Sequence, residues 1–448
     1  MFPNCGRHHG RVNGRKQGFE SRHLLWGLCL AVLIAQAYAT LANDWSLLRE
    51  TRLEFPMSAK PYYPFLPVYS STGARASLGA DFSQVYYAAS AIRHGDAPYE
   101  PLSAEFRDRF GRRPNYPPFT NYLYVPLTIL PYPDALAVHT LAGLVIFLGL
   151  TLFVLRKAGL RHHAAGVILA TLLLVLQTPI GFSHTERGQF DLFVASSFLL
   201  VASSLYVGSA TVVFTAAGAC FGALKWTSVP VLLAFSLSGI VASATARKRL
   251  AYGAIPLVLG LSAMAFAPDV QDYWPSLQQY ELEGPPVGMS LELLLPGAGA
   301  KAVPVVCTVG FLALLLLRTR RTSDRAIVLQ AVAVPWGLAV ALQSLCMFRM
   351  AYEYRAVSLL GFLPVVIIWM ERAAIVRRGL RMVVGILVGV FFVLAFRVFD
   401  LRGTLLSSSQ MLYAYGAWSL VFLGLAVNIL WSCAARDSVA GQRVASLR

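Results

Sequence analysis

Apolar runs separated by short polar segments extend along most of the chain. About twelve of these runs reach the roughly 17 to 25 residues that a helix needs to cross the hydrocarbon core of a bilayer. Only backbone that is hydrogen-bonded internally is stable in that core, so each run predicts a helix. The pattern indicates an all-α polytopic membrane protein with spans near 24–42, 134–155, 164–182, 188–206, 209–223, 227–243, 251–266, 301–317, 326–345, 356–371, 381–398 and 410–431.

Two longer polar segments interrupt the spans, at 43–117 and at 267–300. No shift in composition marks an appended soluble domain, so we treat 1–448 as one integral membrane domain. Basic tails are expected at its two ends, over 1–23 and 432–448. The two long segments are therefore the natural places for chemistry outside the bilayer.

Charge is distributed unevenly between the polar segments. The chain is 56% hydrophobic and only 13% charged, yet its net charge is +16. Alternate segments hold 22 of the 38 Lys and Arg residues but only 4 of the 22 Asp and Glu residues, and the positive-inside rule makes these segments cytoplasmic. The excess positive charge thus reflects membrane topology, and we expect the bilayer, with no nucleic acid, as a partner. The basic segments are 1–23, 156–163, 245–250, 318–325, 371–381 and 432–448.

Asp81 opens a stretch of the first outer segment that is rich in polar and aromatic residues. Phe82, Val85 and Ala89 recur at helical spacing after it, which predicts a short amphipathic helix on the outer leaflet. Two interpretations of Asp81 remain open and are compatible. It can act as a general base at the mouth of a membrane cavity, or it can cap the helix, as aspartate often does.

The sequence NYPPF at 115–119 breaks any preceding helix and starts a new one, because proline is tolerated only in a first helical turn. Tyr116 is then either an interfacial aromatic residue or a substrate contact.

A second polar group, SHTERGQFDLF at 183–193, is predicted at an outer turn. Asp191 lies about one turn inside the following apolar run, where an unpaired charge is unfavourable. Arg187, four residues earlier, is one candidate partner for an ion pair. The alternative is that Glu186, Arg187, Gln189 and Asp191 bind sugar hydroxyls.

Further charges are predicted at two other outer positions. Lys225 separates two apolar spans and can either snorkel to the surface or bind an anionic phosphate. The turn near 347–357 adds four candidates that a carboxylate or a phosphate could pair with: Arg349, Glu353, Tyr354 and Arg355.

The order of these features resembles glycosyltransferase family 87, a group of polyprenyl-phosphate-sugar-dependent transferases of the GT-C class. A basic tail and one span are followed by ADFSQVYYAASAIRHGDAPY, then YPPF, GQFDL and LKWTSVPVLL. The resemblance covers the layout of most of the chain, although its specific motifs are short. It implies a GT-C bundle of about twelve transmembrane helices with short amphipathic helices in its outer loop.

The resemblance implies an inverting transfer of a sugar, such as mannose or arabinofuranose, from polyprenyl phosphate to an acceptor hydroxyl. Asp81 matches the acidic base of the family, and Tyr116 begins its Tyr-Pro-Pro motif. Gln189 and Asp191 match a Gly-Gln-x-Asn motif whose last residue is aspartate in this chain. Lys225 matches a Leu-Lys-Pro motif in which tryptophan replaces proline. Substrate contacts are also expected from Tyr86, Tyr87 and Arg93 of the first outer segment.

The resemblance further implies a glycolipid, polysaccharide or protein acceptor and an active site on the outer face of the bacterial cytoplasmic membrane. We expect no obligatory cofactor, since a monophosphate leaving group lessens the need for a divalent metal. The six cysteines show no paired spacing that would predict a zinc site or a disulfide framework. A multi-span transporter or flippase of a lipid-linked or glycan substrate is the alternative, although the inverted repeats typical of transporters are not evident.

Overall fold

The protein is described from a computed structural model. The description covers residues 22–34, 79–99, 106, 112, 114–207, 211–242, 253, 258–260, 268–283, 286–295, 298–319, 325–348, 350–351, 353–373, 375–396, 398 and 408–445.

The described residues form a helical membrane protein. Six helical segments are long and apolar enough to cross a membrane, and five shorter apolar helices accompany them. This confirms the predicted polytopic membrane class, while the number of about twelve spans stays a prediction. The long helices are α4 (Tyr132–Lys157), α11 (Ala298–Thr319), α12 (Arg325–Cys346), α13 (Phe362–Arg372, preceded by a 3-10 helix over Glu353–Gly361), α14 (Arg378–Ala395) and α15 (Ser408–Ala445).

The remaining helices are shorter. Most of the predicted span at 251–266 lies outside the described residues, as do residues 35–42 of the first predicted span. The shorter helices are α1 (Arg22–Ile34), α2 (Phe82–His94), α3 (Pro118–Tyr124, continued by a 3-10 helix over Val125–Ile129), α5 (Ala164–Leu176), α6 (Pro179–Arg187), α7 (Asp191–Ser204), α8 (Thr211–Gly222), α9 (Val229–Ala242) and α10 (Val270–Glu283).

Helix α7 lies at the centre of the bundle. All of its residues are buried, as expected for a helix that is apolar around its whole circumference. It packs against α4, α8 and the 3-10 helix that precedes α13. Three of its buried serines, Ser196, Ser197 and Ser204, donate their hydroxyls to backbone carbonyls, for example Ser197 to Gly218. Because α7 is buried and packed against several neighbouring helices, its first residue, Asp191, is held in place by that packing.

Two predicted turns are helical in the structure. The segment 183–188, predicted as an outer turn, belongs to α6 as far as Arg187, because Thr178 caps a new helix by accepting a hydrogen bond from the amide of Gly181. Proline at the first position, Pro179, favours the same start. Likewise, Tyr354 and Arg355 lie in the 3-10 helix before α13 instead of in a turn.

The last predicted span, 410–431, also differs in length. Helix α15 continues through most of the predicted tail at 432–448 and ends at Ala445. The sequence after the span contains no proline, so nothing in it forces the helix to stop where the apolar run stops.

The second long polar segment packs on the first. The hydroxyl of Tyr122 donates to Asp269 over 2.7 Å, and the hydroxyl of Ser276 donates to the carbonyl of Pro114 over 3.2 Å. A two-residue parallel pairing joins β1 (Val287–Gly288) to β2 (Met350–Ala351). These contacts join the polar segment at 267–300 to residues 114–122 and to β2.

Candidate functional site

A small polar cavity lies near the starts of α2, α3, α7 and α9, beside the 3-10 helix that precedes α13. Its volume is about 30 Å³, close to the space that one water molecule takes in the liquid. Six of the fourteen residues proposed from sequence line it, together with three that the sequence did not indicate. The residues that sequence did not indicate are Asn115, Trp226 and Thr227. The nine residues that line the cavity are Asp81, Asn115, Tyr116, Gln189, Lys225, Trp226, Thr227, Tyr354 and Arg355.

The junction between α6 and α7 positions the floor of this cavity. Gly188 follows α6 with φ of 63°, in the left-handed region that glycine adopts without strain. A Cβ atom at this position would lie 2.6 Å from Leu136 and 2.7 Å from Phe82. The change in chain direction at Gly188 lets the Gln189 amide reach Asp81, and α7 begins at Asp191.

Asp81 is held by three side chains. Arg187 donates from Nε to Oδ2 over 2.6 Å and from Nη2 to Oδ1 over 3.3 Å. Arg112 donates from Nη1 to Oδ1 over 3.2 Å, and the Gln189 amide donates to Oδ2. The side chain makes no capping hydrogen bond with α2. Asp81 therefore precedes the helix as predicted, but its carboxylate is used for these partners and not for a cap.

The charges around Asp81 favour its ionised form. Burial by itself would raise the pKa of this carboxyl, but the positive charges of Arg187, Arg112 and Lys225 outweigh burial and hold the pKa below its usual value. Asp81 is thus present as a carboxylate at neutral pH, ready to accept a proton, although it is a weaker base than an isolated aspartate.

Gln189 connects Asp81 to a buried ion pair. Its amide oxygen accepts from Lys225 Nζ over 2.9 Å while its amide nitrogen donates to Asp81. A carboxylate can only accept and an ammonium can only donate, so these two partners fix the orientation of the amide. Lys225 Nζ also lies 2.8 Å from Asp191 Oδ2, with both side chains almost completely buried.

This arrangement shows that the predicted pairing of Arg187 with Asp191 is wrong. The two residues are four apart in sequence, but Gly188 ends α6 between them, so they do not share a helix face. Arg187 instead pairs with Asp81, and Asp191 pairs with Lys225. Burial lowers the pKa of Lys225, an effect that the carboxylate of Asp191 counteracts in part.

Arg355 is the cavity residue whose hydrogen-bonding capacity is least used. The residue is 9% exposed, and its Nε and Nη1 atoms are buried and have no hydrogen-bond partner among the described residues. The guanidinium lies 5.4 Å from the ring of Phe348, while the neighbouring Tyr354 ring lies 5.3 Å from Arg187 and 5.8 Å from Lys225. A buried, unsatisfied guanidinium is costly, which makes it a ready binding group for an anion.

The aromatic residues Tyr116 and Trp226 form part of the cavity wall. Tyr116 packs on Phe190 with ring centroids 4.8 Å apart, and its carbonyl accepts from the hydroxyl of Tyr99 over 2.6 Å. Helix α3 begins at Pro118, which confirms the predicted helix start in NYPPF. Trp226, which the sequence offered as a departure from a motif, packs against Phe348 at 3.9 Å.

Other predicted site residues lie elsewhere. Tyr86 donates to the carbonyl of Leu130, Tyr87 stacks on Tyr132, and Arg93 donates to the carbonyl of Thr128. These three residues face the 3-10 helix after α3 and the start of α4, and they do not line the cavity.

Three predicted residues cannot be placed relative to the cavity. Arg349 lies outside the described residues, and Glu186 and Glu353 lie in helical segments whose side chains at these positions are outside the description. Arg112, in contrast, was not predicted, because one of two adjacent arginines in a polar segment carries no signal of its long-range partner.

The fold and the site together define an integral membrane protein with a carboxylate and several cations around a small polar cavity. The model of glycosyltransferase family 87 matches residues 115–290, which include Tyr116, Gln189, Asp191 and Lys225. This match confirms the family resemblance over that part of the chain and supports a glycosyltransferase activity. No curated protein and no solved structure matches the chain.

Proposed function

We propose that the protein is an inverting GT-C glycosyltransferase that moves a sugar from a polyprenyl-phosphate donor to an acceptor hydroxyl. Asp81 is the general base of this reaction. The family match supports sugar transfer in general. The single observation that carries the donor class is Arg355, a buried guanidinium with two unpartnered nitrogens in the wall of the cavity that Asp81 also lines.

The charges of the site favour a donor with one phosphate. Lys225 is matched by Asp191, and Arg187 and Arg112 share Asp81. Arg355 forms no ion pair among the described side chains. The guanidinium of Arg355 suits a single phosphodiester, to which its Nε and Nη1 can donate two parallel hydrogen bonds. We therefore also propose that no divalent metal is required.

A lipid-linked donor suits the position of the cavity. The wall residue Lys225 adjoins the apolar helix α9, on which Leu237 is exposed and can contact a polyprenyl chain, whereas α13 after Arg355 is buried inside the bundle. The distribution of basic loops favours an outer-face location in the cytoplasmic membrane of a bacterium, with both termini inside. The acceptor hydroxyl would then belong to a glycolipid, a polysaccharide or a protein outside the cell.

The chemistry follows from these groups. The acceptor oxygen attacks the anomeric carbon, and the bond from that carbon to the phosphate oxygen breaks with inversion. The acceptor proton passes to the carboxylate of Asp81, and polyprenyl phosphate departs with the bonding electrons and is stabilised by Arg355, with support from Lys225. Because Asp81 is a weak base, its proton transfer belongs late in the reaction, when the acceptor oxygen has become acidic.

A transfer assay tests this function. Membranes containing the protein would receive radiolabelled polyprenyl-phosphate sugars, one at a time, with host envelope extract as acceptor. We expect transfer from one donor, its loss in Asp81→Asn, and no change in the matched control Asp272→Asn, an exposed residue of α10. Added EDTA should leave transfer unchanged. Transfer by Asp81→Asn at the wild-type rate would remove Asp81 from the chemistry.

No transfer from any donor, combined with movement of a labelled lipid-linked sugar across the membrane, would replace the proposal with the transporter alternative. That measurement uses the same donors in sealed vesicles that contain or lack the protein.

A further inference from the structure

A second and larger cavity lies between α1 and α14. Its volume is about 680 Å³, within the range of about 300–1,000 Å³ that is usual for ligand sites. Eleven of its twelve lining residues are apolar or glycine, so its walls offer hydrophobic contacts and almost no hydrogen bonds. The ligand that suits such walls is a hydrocarbon chain. This α1–α14 groove is lined by residues within 23–28 of α1, by Met370 of α13 and by residues within 382–394 of α14.

The groove follows one face of α14. The lining residues of this helix include Met382, Gly385, Ile386 and Gly389, and their spacing of three or four residues places them on one side of the helix. The lining extends from Met382 to Leu394, twelve positions that span about 18 Å at the helical rise. One leaflet supplies about half of the ~30 Å hydrocarbon core. The groove is therefore long enough to hold an acyl chain over the depth of its own leaflet.

Glycines shape this groove. A Cβ atom added at Gly27 would have no atom within 4 Å, so the groove is open beside this residue. At Gly385 and Gly389 an added Cβ would instead lie 2.9 Å from Met370 Sδ and 2.8 Å from Leu24 Cδ1, so these two glycines let their neighbours approach α14 closely. The groove is thus bounded by close helix contacts and stays open at Gly27.

One end of the groove is positively charged. The sequence between the groove residues Met370 and Met382 contains four arginines and one glutamate, and the glutamate, Glu371, lies 3.7 Å from His163. Arg378 is exposed and comes four positions before Met382, so it continues the groove face of α14 by one turn. An anionic group at this end would therefore meet a complementary charge.

Arg381 provides a buried binding group at the same end. It is 9% exposed, and its Nη1 donates to the carbonyl of Met370, a wall residue of the groove. Its Nε is buried and has no hydrogen-bond partner among the described residues. A buried guanidinium nitrogen without a partner is costly, and a phosphate oxygen is a strong acceptor for it.

This charged end lies across the membrane from the polar cavity. The helical segment Tyr354–Arg372 is long and apolar enough to cross a membrane. Its first residue lines the polar cavity, and Met370, near its last residue, lines the groove. A lipid headgroup at Arg378 therefore belongs to the leaflet opposite a donor phosphate at Arg355.

We propose that the α1–α14 groove binds one acyl chain of a glycerophospholipid with an anionic headgroup, whose phosphate lies at Arg378 and Arg381. Such a lipid fills space that neither helix fills and joins α1 to the bundle. The site is independent of the proposed sugar transfer, because it shares no wall residue with the polar cavity and uses the other leaflet.

Lipid titration of the full-length protein in detergent, read by native mass spectrometry, tests this site. Phosphatidylglycerol should bind about tenfold more tightly than phosphatidylcholine with the same acyl chains. Arg378→Gln should reduce that preference about fivefold, the usual effect of one cation at a membrane surface. Gly27→Leu, which fills the groove, should weaken binding of both lipids about tenfold or more. Lys301→Gln and Gly310→Leu, at exposed positions of α11, are the matched controls and should bind both lipids as wild type does.

Photocrosslinking of the wild-type protein locates the lipid. Phosphatidylglycerol with a photoreactive acyl chain should label peptides that contain residues 23–28 or 382–394. Labelling confined to other helices, equal binding of the two lipids by the wild-type protein, or unchanged binding in Gly27→Leu would overturn the inference. Displacement of phosphatidylglycerol by polyprenyl phosphate more readily than by phosphatidylglycerol itself would also overturn it, because the groove would then belong to the donor chain. None of these measurements requires sugar transfer, so their outcome is separate from that of the proposed function.

Discussion

Asp81 and Arg187 bind each other through both backbone and side chain. The amide of Asp81 donates to the carbonyl of Arg187 over 3.0 Å, and the guanidinium of Arg187 binds both oxygens of the Asp81 carboxylate. The pair joins the start of α2 to the end of α6. Because the backbone contact fixes the separation of the two segments, the carboxylate is held in one orientation beside Gln189 and the cavity.

Replacement of Arg355 should separate stability from activity. Arg355→Met removes a buried guanidinium whose Nε and Nη1 have no partner, so the ligand-free protein should be as stable as wild type or more stable. The donor KM should rise about 10- to 100-fold, which corresponds to loss of one charge-assisted hydrogen bond of about 1.5–3 kcal/mol. Thermal unfolding in detergent and donor titration measure the two effects.

Arg372→Met is the matched control for that prediction. Arg372 donates to the carbonyls of Tyr206 and Ala158, so its loss should lower the unfolding temperature without changing the donor KM of the remaining folded protein. A stability loss in Arg355→Met as large as that in Arg372→Met would show that Arg355 has a structural role instead.

The buried pair of Lys225 and Asp191 should behave as one unit. Lys225→Met or Asp191→Leu alone leaves an uncompensated buried charge and should cost about 3–5 kcal/mol of the free energy of unfolding. The double variant should cost clearly less than the sum of the two, because no buried charge remains. A double-mutant cycle on thermal or denaturant unfolding measures the coupling, and additive costs would contradict it.

Gly188 should tolerate no side chain. Gly188→Ala places a Cβ against Leu136 and Phe82 at a backbone position with positive φ, which by itself costs about 1–2 kcal/mol. Both the unfolding temperature and transfer should fall, since Gln189 would be displaced from Asp81. Gly149→Ala is the control: it lies in α4 with no atom within 4 Å of the added Cβ, so it should be neutral or stabilising by up to about 1 kcal/mol.

Stability should depend on the ionisation of Asp81 at acid pH. The pKa of Asp81 is lowered in the folded protein, so its carboxylate stabilises the fold above the ordinary aspartate value of about 3.9. That contribution is lost as the pH falls through the lower folded value. Unfolding temperatures measured below about pH 4 should therefore fall less steeply in Asp81→Asn than in wild type, whereas Asp272→Asn should follow wild type.

Much of the fold follows from the sequence alone. The apolar runs predict most of the helices, and the proline pair in NYPPF predicts the start of α3 at Pro118. These features are local, because the transfer of a helix into a bilayer depends mainly on the residues of that helix. The prediction of a turn at 183–187 was wrong, because the cap Thr178 and the proline at position 179 start a helix that continues through this segment.

The site could be predicted in its residue types but not in its pairings. The sequence motifs indicated Asp81, Gln189, Lys225 and Arg355 as site residues, and all four line the cavity. They did not indicate that Asp81 would bind a guanidinium 106 positions away, or that Lys225 would bind Asp191 across 34 positions. Sequence proximity instead suggested Arg187 as the partner of Asp191.

The chain therefore determines its helices, its membrane class and its candidate chemistry by local composition and order. Only the packing of the helices decides which charges meet, because an ion pair forms between charges that are close in space, however far apart they are in sequence. The guanidinium of Arg355, with two nitrogens unpartnered among the described residues, and the carboxylate of Asp81, with three donor side chains, both result from that packing.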